Sequence, residues 1–89
     1  MNYVVLVGKV KEIKDNILNV EFKIKNDSEE TMTIKVVVSK KMQEYMLEYL
    51  LVGDLVGIKG TLYYLDNEVV IKCDKLSFLS SKNNKESEE

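Results

Sequence analysis

The sequence predicts an all-β domain, a five-stranded barrel with one helix between its third and fourth strands. Three observations carry this expectation. Apolar residues recur with the period of two that half-buried strands need, one short stretch switches to helical spacing, and turn-forming residues separate the segments at short intervals. With 89 residues, 45% of them hydrophobic, the chain has room for one domain and one core. A fold this small buries only roughly 60% of the surface that its unfolded chain exposes, so that core must be compact.

Tyr3-Val4-Val5-Leu6-Val7 is a continuous apolar run bounded by Gly8. Its β-branched content reads as a strand buried on both faces. One barrel interior covers only one of them, which predicts that a second copy covers the other. Leu18, Val20, Phe22 and Ile24 alternate with Asn19, Glu21, Lys23 and Lys25, the pattern of a half-exposed strand over 18–25. After polar residues 26–30, Met32, Ile34, Val36 and Val38 alternate with Thr31, Thr33, Lys35 and Val37, so the two segments read as a hairpin.

Ser39 is placed to cap a helix start, and Met42, Tyr45, Met46, Tyr49 and Leu50 follow as one apolar stripe. A helix of about three turns depends on packing for its stability. It is therefore expected to plug one open end of the sheet, with its tyrosines at the core edge and Gly53 as its stop. Leu55–Tyr64 is the next strand, and Gly57 and Gly60 within it mark a bend or bulge where a small barrel turns a corner. Asp66-Asn67 makes a two-residue connection into Glu68–Cys73, after which Leu76, Phe78 and Leu79 close the core. From Ser80 the chain holds only Ser, Lys, Asn and Glu. Residues 80–89 are expected to form a disordered acidic tail that folding does not need.

A helix between the third and fourth of five strands is the arrangement of the oligonucleotide/oligosaccharide-binding (OB) barrel, which residues 1–79 would form. An open antiparallel sandwich is the alternative. Catalytic constellations are missing: the sequence has no histidine, no glycine-rich phosphate loop and no nucleophile elbow. Asp54, Asp66 and Asp74 fall at turns or strand ends, where solvated Asp is ordinary. Cys73 is the single cysteine, so no internal disulfide forms and no zinc site is expected. The reading is a binding module, not an enzyme, with no metal and no cofactor. No apolar stretch reaches membrane-spanning length and no secretory signal opens the chain, which points to the cytoplasm.

The residues also resemble a known family. Met1-Asn2-Tyr3-Val4-Val5-Leu6-Val7-Gly8-Lys9-Val10 is similar to the opening of bacterial single-stranded DNA-binding proteins. Lys35 through Leu62, with Glu48-Tyr49-Leu50, the glycine turn and Val56-Gly57-Ile58-Lys59-Gly60-Thr61-Leu62, follows the family's strand, helix and strand without a gap. Asp74–Leu79 resembles its last strand. The resemblance covers nearly all of the chain before Ser80, with the first loop and last hairpin trimmed. It implies sequence-independent binding of single-stranded DNA in replication or recombination. It also implies a homodimer or homotetramer whose first strands pair through Tyr3, Val5 and Val7, with replication proteins as further partners.

Where the family stacks bases on aromatic rings, this sequence has no Trp, Thr33 before Lys35, and Ser39 after Val36–Val38. Each lost platform is worth about 1–3 kcal/mol. The terminal Glu86-Ser87-Glu88-Glu89 lacks the apolar end with which the family's tail recruits partners. The net charge is −2, and all 13 basic residues are lysines, so no global positive field attracts nucleic acid. Alternation nevertheless places Lys23, Lys25, Thr33 and Lys35 together on the outward face of the second and third strands, the surface on which such barrels bind single strands. Lys9 and Lys11 extend this stripe, and Tyr63 and Tyr64 are the remaining candidates for base stacking. A solvated strand face explains the same lysines without function. Two readings therefore stand: a single-stranded DNA binder, and a structural or primosome-like interaction subunit that binds little or no DNA.

Overall fold

The computed structural model describes residues 2–79. Strands β1 (Val4–Lys14), β2 (Ile17–Lys23) and β3 (Thr31–Val37) precede helix α1 (Lys40–Tyr49), and strands β4 (Leu55–Leu65) and β5 (Glu68–Phe78) follow it. The strands close into a barrel in the order β1-β2-β3-β5-β4, which excludes the open sandwich. Every neighbouring pair is antiparallel except β3 and β5, which run parallel at Val36–Ile71 and Val37–Lys72. The inward residues of all five strands meet in one core, with Val10, Leu18, Val20, Val36, Val56, Ile58 and Ile71 buried. Met46 of α1 and Leu50 just beyond it join that core from the helix side, as the apolar stripe predicts.

The elements depart from the sequence reading in several places. β5 runs on to Phe78 instead of ending at Cys73, and Leu79, expected to close the core, is 44% exposed. β1 does not stop at Gly8 but continues to Lys14. A register shift between Val10 and Glu12 breaks the period-two pattern, which hides the second half of the strand. Tyr3, Val5 and Val7 are 58%, 66% and 54% exposed, so a single barrel covers one face of this run and leaves the other open, as the sequence reading expects of one copy. β2 ends at Lys23, and Lys25 lies in the following loop, where its carbonyl accepts a hydrogen bond from the Ser28 amide at 3.1 Å. Finally, α1 stops at Tyr49 with Leu50 as its extended cap. Gly53 adopts its φ of 100° in the turn that follows. The chain leaves the helix early because Leu50 must reach the core, where it is 4% exposed.

At the other end of α1 the Ser39 hydroxyl accepts from the Met42 amide at 3.1 Å, the capping bond expected from sequence. Tyr45 sits on the outer side of the helix with its ring centroid 5.6 Å from that of Phe78. Asp66 and Asn67 have φ of 51° and 65°, the conformation a tight two-residue hairpin requires. The expected tail from Ser80 lies outside the described residues.

Candidate nucleic-acid interface

Residues directly opposite one another on paired strands share a face. In β2 and β3 these pairs are Asn19 with Lys35, Glu21 with Thr33, and Lys23 with Thr31. Lys9 of β1 lies opposite Glu21. Strand pairing therefore gathers Lys9, Lys23, Thr33 and Lys35 on one outward face. Lys11, at the β1 bulge, reaches the same face, with its Nζ 3.9 Å from Glu21 Oε1. Lys25 is not brought there.

The two candidate stacking residues part company. Tyr63 pairs with Val70, Tyr64 with Val69 and Leu65 with Glu68. Tyr63 therefore shares a face with Leu65 and Glu68, while Tyr64 faces the other way with Leu62. Glu68 Oε2 accepts a 2.9 Å bond from Lys35 Nζ, which ties the Tyr63 side of the β4–β5 hairpin to the lysine face. Both rings are exposed.

Counting only cations misses the acids on this face. Glu21 contacts Lys11 and accepts a 3.2 Å bond from the Thr31 hydroxyl, and Glu12 accepts from Asn19 Nδ2 at 2.9 Å. Alternation already assigns Glu21 to the outward side, whereas Glu12 and Glu68 reach it through a bulge and a parallel strand pairing that no local pattern encodes. The face is a mixed-charge surface. The hydrogen bond that Lys35 donates to Glu68, and then the Glu68 charge itself, holds Lys35 above its ordinary pKa. A second residue missed from sequence is Phe22. Assigned to the core by its alternation, it is half-buried at the barrel mouth. There it lines a concavity of about 400 Å³ with Lys9, Glu21, Lys23 and Thr31.

No family model matches the chain, and no curated protein does. Solved structures do. The mitochondrial single-stranded DNA-binding protein Rim1 of S. cerevisiae superimposes with a TM-score of 0.74 at 16% identity, over 90% of this chain and 96% of that one. The SSB domain of a Synechococcus sp. protein gives 0.71 at 19% identity, over 86% and 94%. This chain has the OB fold of single-stranded DNA-binding proteins. The dimeric N-terminal domain of PriB from Thermoanaerobacter tencongensis has the same OB barrel, with a TM-score of 0.67 at 24% identity over 90% and 98%.

Within this OB barrel the described residues contain no group of three or more His, Cys, Asp or Glu side chains able to hold a metal ion. Among them, no helix is long and apolar enough to cross a membrane. Cys73 of β5, opposite Gly60 of β4, is buried in the core, and its thiol donates to the Lys75 carbonyl at 3.3 Å. Burial pushes the thiol from 9.0 up to about 11. Because the folded value lies above the unfolded one, this group's contribution to stability is fully present below pH 9.0 and is lost as pH rises to about 11. Chemical denaturation across that window is expected to show a fall in stability that Cys73→Ala lacks. Parallel curves for the two proteins would contradict it.

Proposed function

We propose that this OB barrel is a single-stranded DNA-binding module without catalytic activity. The strand is held without sequence preference on the outer face of β1, β2 and β3. The observation that carries the reading is the convergence of Lys9, Lys11, Lys23, Thr33 and Lys35 on one face of a chain whose net charge is −2. Phosphate neutralisation does most of the holding, and Tyr63 supplies a ring at the border of that face. Residues 1–79 form the domain, and it acts as a homodimer or homotetramer through Tyr3, Val5 and Val7. Its setting is replication or recombination in the cytoplasm, alongside replication proteins. The similarity of this barrel to the single-stranded DNA-binding protein Rim1 and to an SSB domain supports the nucleic-acid part of this reading.

Binding of labelled oligo-dT at low and moderate salt tests it. Lys9→Ala and Lys23→Ala are each expected to weaken binding regardless of sequence and to flatten the slope of log affinity against log salt by about 0.7. Lys25→Ala, off the strand face, is expected to change the slope little. Tyr63→Ala is expected to cost about 1–3 kcal/mol with little change in slope, because stacking releases few counterions. Tyr64→Ala, on the opposite face, is expected to cost less. The carboxylates interleaved among the lysines favour a second reading, an OB barrel that serves as a protein-interaction subunit. Absence of wild-type binding at low salt would put that reading in place of the first.

A further inference from the structure

We infer that Glu68 sets the strength of nucleic-acid binding by occupying Lys35, so that a phosphate must displace a carboxylate of the protein itself. This rests on the DNA-binding reading and adds to it a residue that limits affinity. The geometry is direct. Lys35 Nζ lies 2.9 Å from Glu68 Oε2, and the two side chains are 43% and 48% exposed, so the pair is formed yet open to exchange with a phosphate arriving from solvent. Neither partner is free to drift far. Lys35 is fixed opposite Asn19 in the β2–β3 ladder, and Glu68 follows immediately on the tight turn at Asp66-Asn67.

Other charges reinforce the arrangement. Asp66 and Glu12 act on Lys35 in the same direction as Glu68. Lys23, by contrast, lies opposite Thr31. Only two ion pairs form among the described residues, Lys11–Glu21 at 3.9 Å and Lys35–Glu68 at 2.9 Å, so Lys35 is the most fully compensated cation of the face.

Two consequences follow from counterion release. With Glu68 beside it, Lys35 brings little net positive charge to a phosphate, so its capture displaces little of the cation atmosphere condensed on the DNA and adds little to the salt slope. After exchange the displaced Glu68 remains beside the phosphate and repels it. Glu68 thus weakens binding twice, as a competitor before contact and as a like charge after it. A barrel built this way holds DNA loosely and lets it go readily.

The test titrates oligo-dT onto the full chain and onto Glu68→Gln, Lys35→Ala and the double variant, across a salt series. Glu68→Gln keeps the side chain's size and removes its charge. It is expected to bind about two- to fivefold more tightly at low salt, the span that an exposed ion pair covers, with a slope steeper by about 0.7. The double variant is expected to lose the steepening, because no cation remains to be released from its carboxylate. A wild type that binds, with Glu68→Gln matching it in affinity and slope, would overturn the inference while leaving the DNA-binding reading intact. A gain that persists in full in the double variant would also overturn it, as an effect of net charge alone. If neither wild type nor Glu68→Gln binds at low salt, both readings fall together. The pair is exposed, so matched melting curves are expected for all four proteins.

Discussion

Gly60→Ala is expected to destabilise the barrel by about 3 kcal/mol, the upper end for overpacking a tight site. For a domain of this size that lowers the melting temperature by roughly 12–24 °C. Gly60 lies where β4 bends and its register against β5 shifts, between Lys59 and Gly60. A Cβ there would overlap the Lys72 carbonyl oxygen and come within 3.0 Å of Ile71 Cγ2. The first obstacle is backbone, which no rotamer change relieves, so the bend itself must open. Two other glycines serve as internal comparisons. At Gly57 an added Cβ meets the Leu79 side chain at 3.5 Å and Ser77 Cβ at 3.9 Å, ordinary contacts, and Gly57→Ala should melt near wild type. At Gly53 nothing lies within 4 Å but φ is 100°, so Gly53→Ala costs backbone strain alone, about 1 kcal/mol. Calorimetry should rank the three as Gly60, Gly53, Gly57 in decreasing loss. A Gly60→Ala melting temperature within a few degrees of wild type would refute the close-approach account.

The contrast among these glycines marks how far the sequence reaches. Two glycines inside an apolar strand announce a bend or bulge in β4, but the register shifts only at Gly60, while Gly57 pairs regularly with Val7 and Ser77, and which of them touches a neighbouring backbone is decided by β5, a partner across the sheet. The same divide separates the rest of the molecule. Period-two patterning locates β2, β3 and β4, Ser39 announces α1, and Asp66-Asn67 announces the last turn, because each signal is local. The bulge in β1 erases its own periodicity, so Lys9–Lys14 leave no strand pattern to read. Residue parity along β2 and β3 puts Lys23, Thr33 and Lys35 on one face, and the register bears that placement out. What parity cannot show is the charge delivered by other strands. Glu68 meets Lys35 only because β5 docks in parallel beside β3, and it lies 33 residues away in sequence. A stripe of lysines in one hairpin therefore becomes a balanced surface once the barrel closes.

Introducing charge on the open face of β1 is expected to dissociate the protein into monomers. Tyr3, Val5 and Val7 stand exposed on one side of β1, and Val5 and Val7 line the same surface as Gly57 and Leu79, with Lys59 and Lys75 at its edge. Lys59 lies 5.6 Å from the Tyr3 ring centroid, so the patch has a charged border and an apolar centre, the composition of a stable contact. The backbone is open as well. β2 pairs with β1 only from Lys9 to Lys14, and β4 takes the other edge from Val4 to Lys9. Among the described residues, Val4–Gly8 thus has one edge without a strand partner, which a second β1 can fill across a two-fold axis. Fully burying a valine contributes about 1.5–3 kcal/mol; Val7, 54% exposed in the single barrel, has about half of that left to gain, and a two-fold contact counts each substitution twice. Val7→Asp should therefore raise the dimer dissociation constant by about one to two orders of magnitude from lost burial alone, with repulsion between the facing carboxylates adding to it, and Val5→Asp/Val7→Asp further still. Both positions are exposed in the single barrel, so the variants should fold. Lys9 shares the outward side of β1 with Val5 and Val7, and Val7 borders the concavity that holds Lys9 and Lys23, so Val5→Asp, which lies farther from it, is the variant in which oligo-dT binding per barrel should survive while avidity between linked barrels is lost. Sedimentation at tens of micromolar decides the matter, on the order of the concentrations where such dimers are populated. A monomeric wild type, or a double variant that still sediments as a dimer, would place the interface elsewhere.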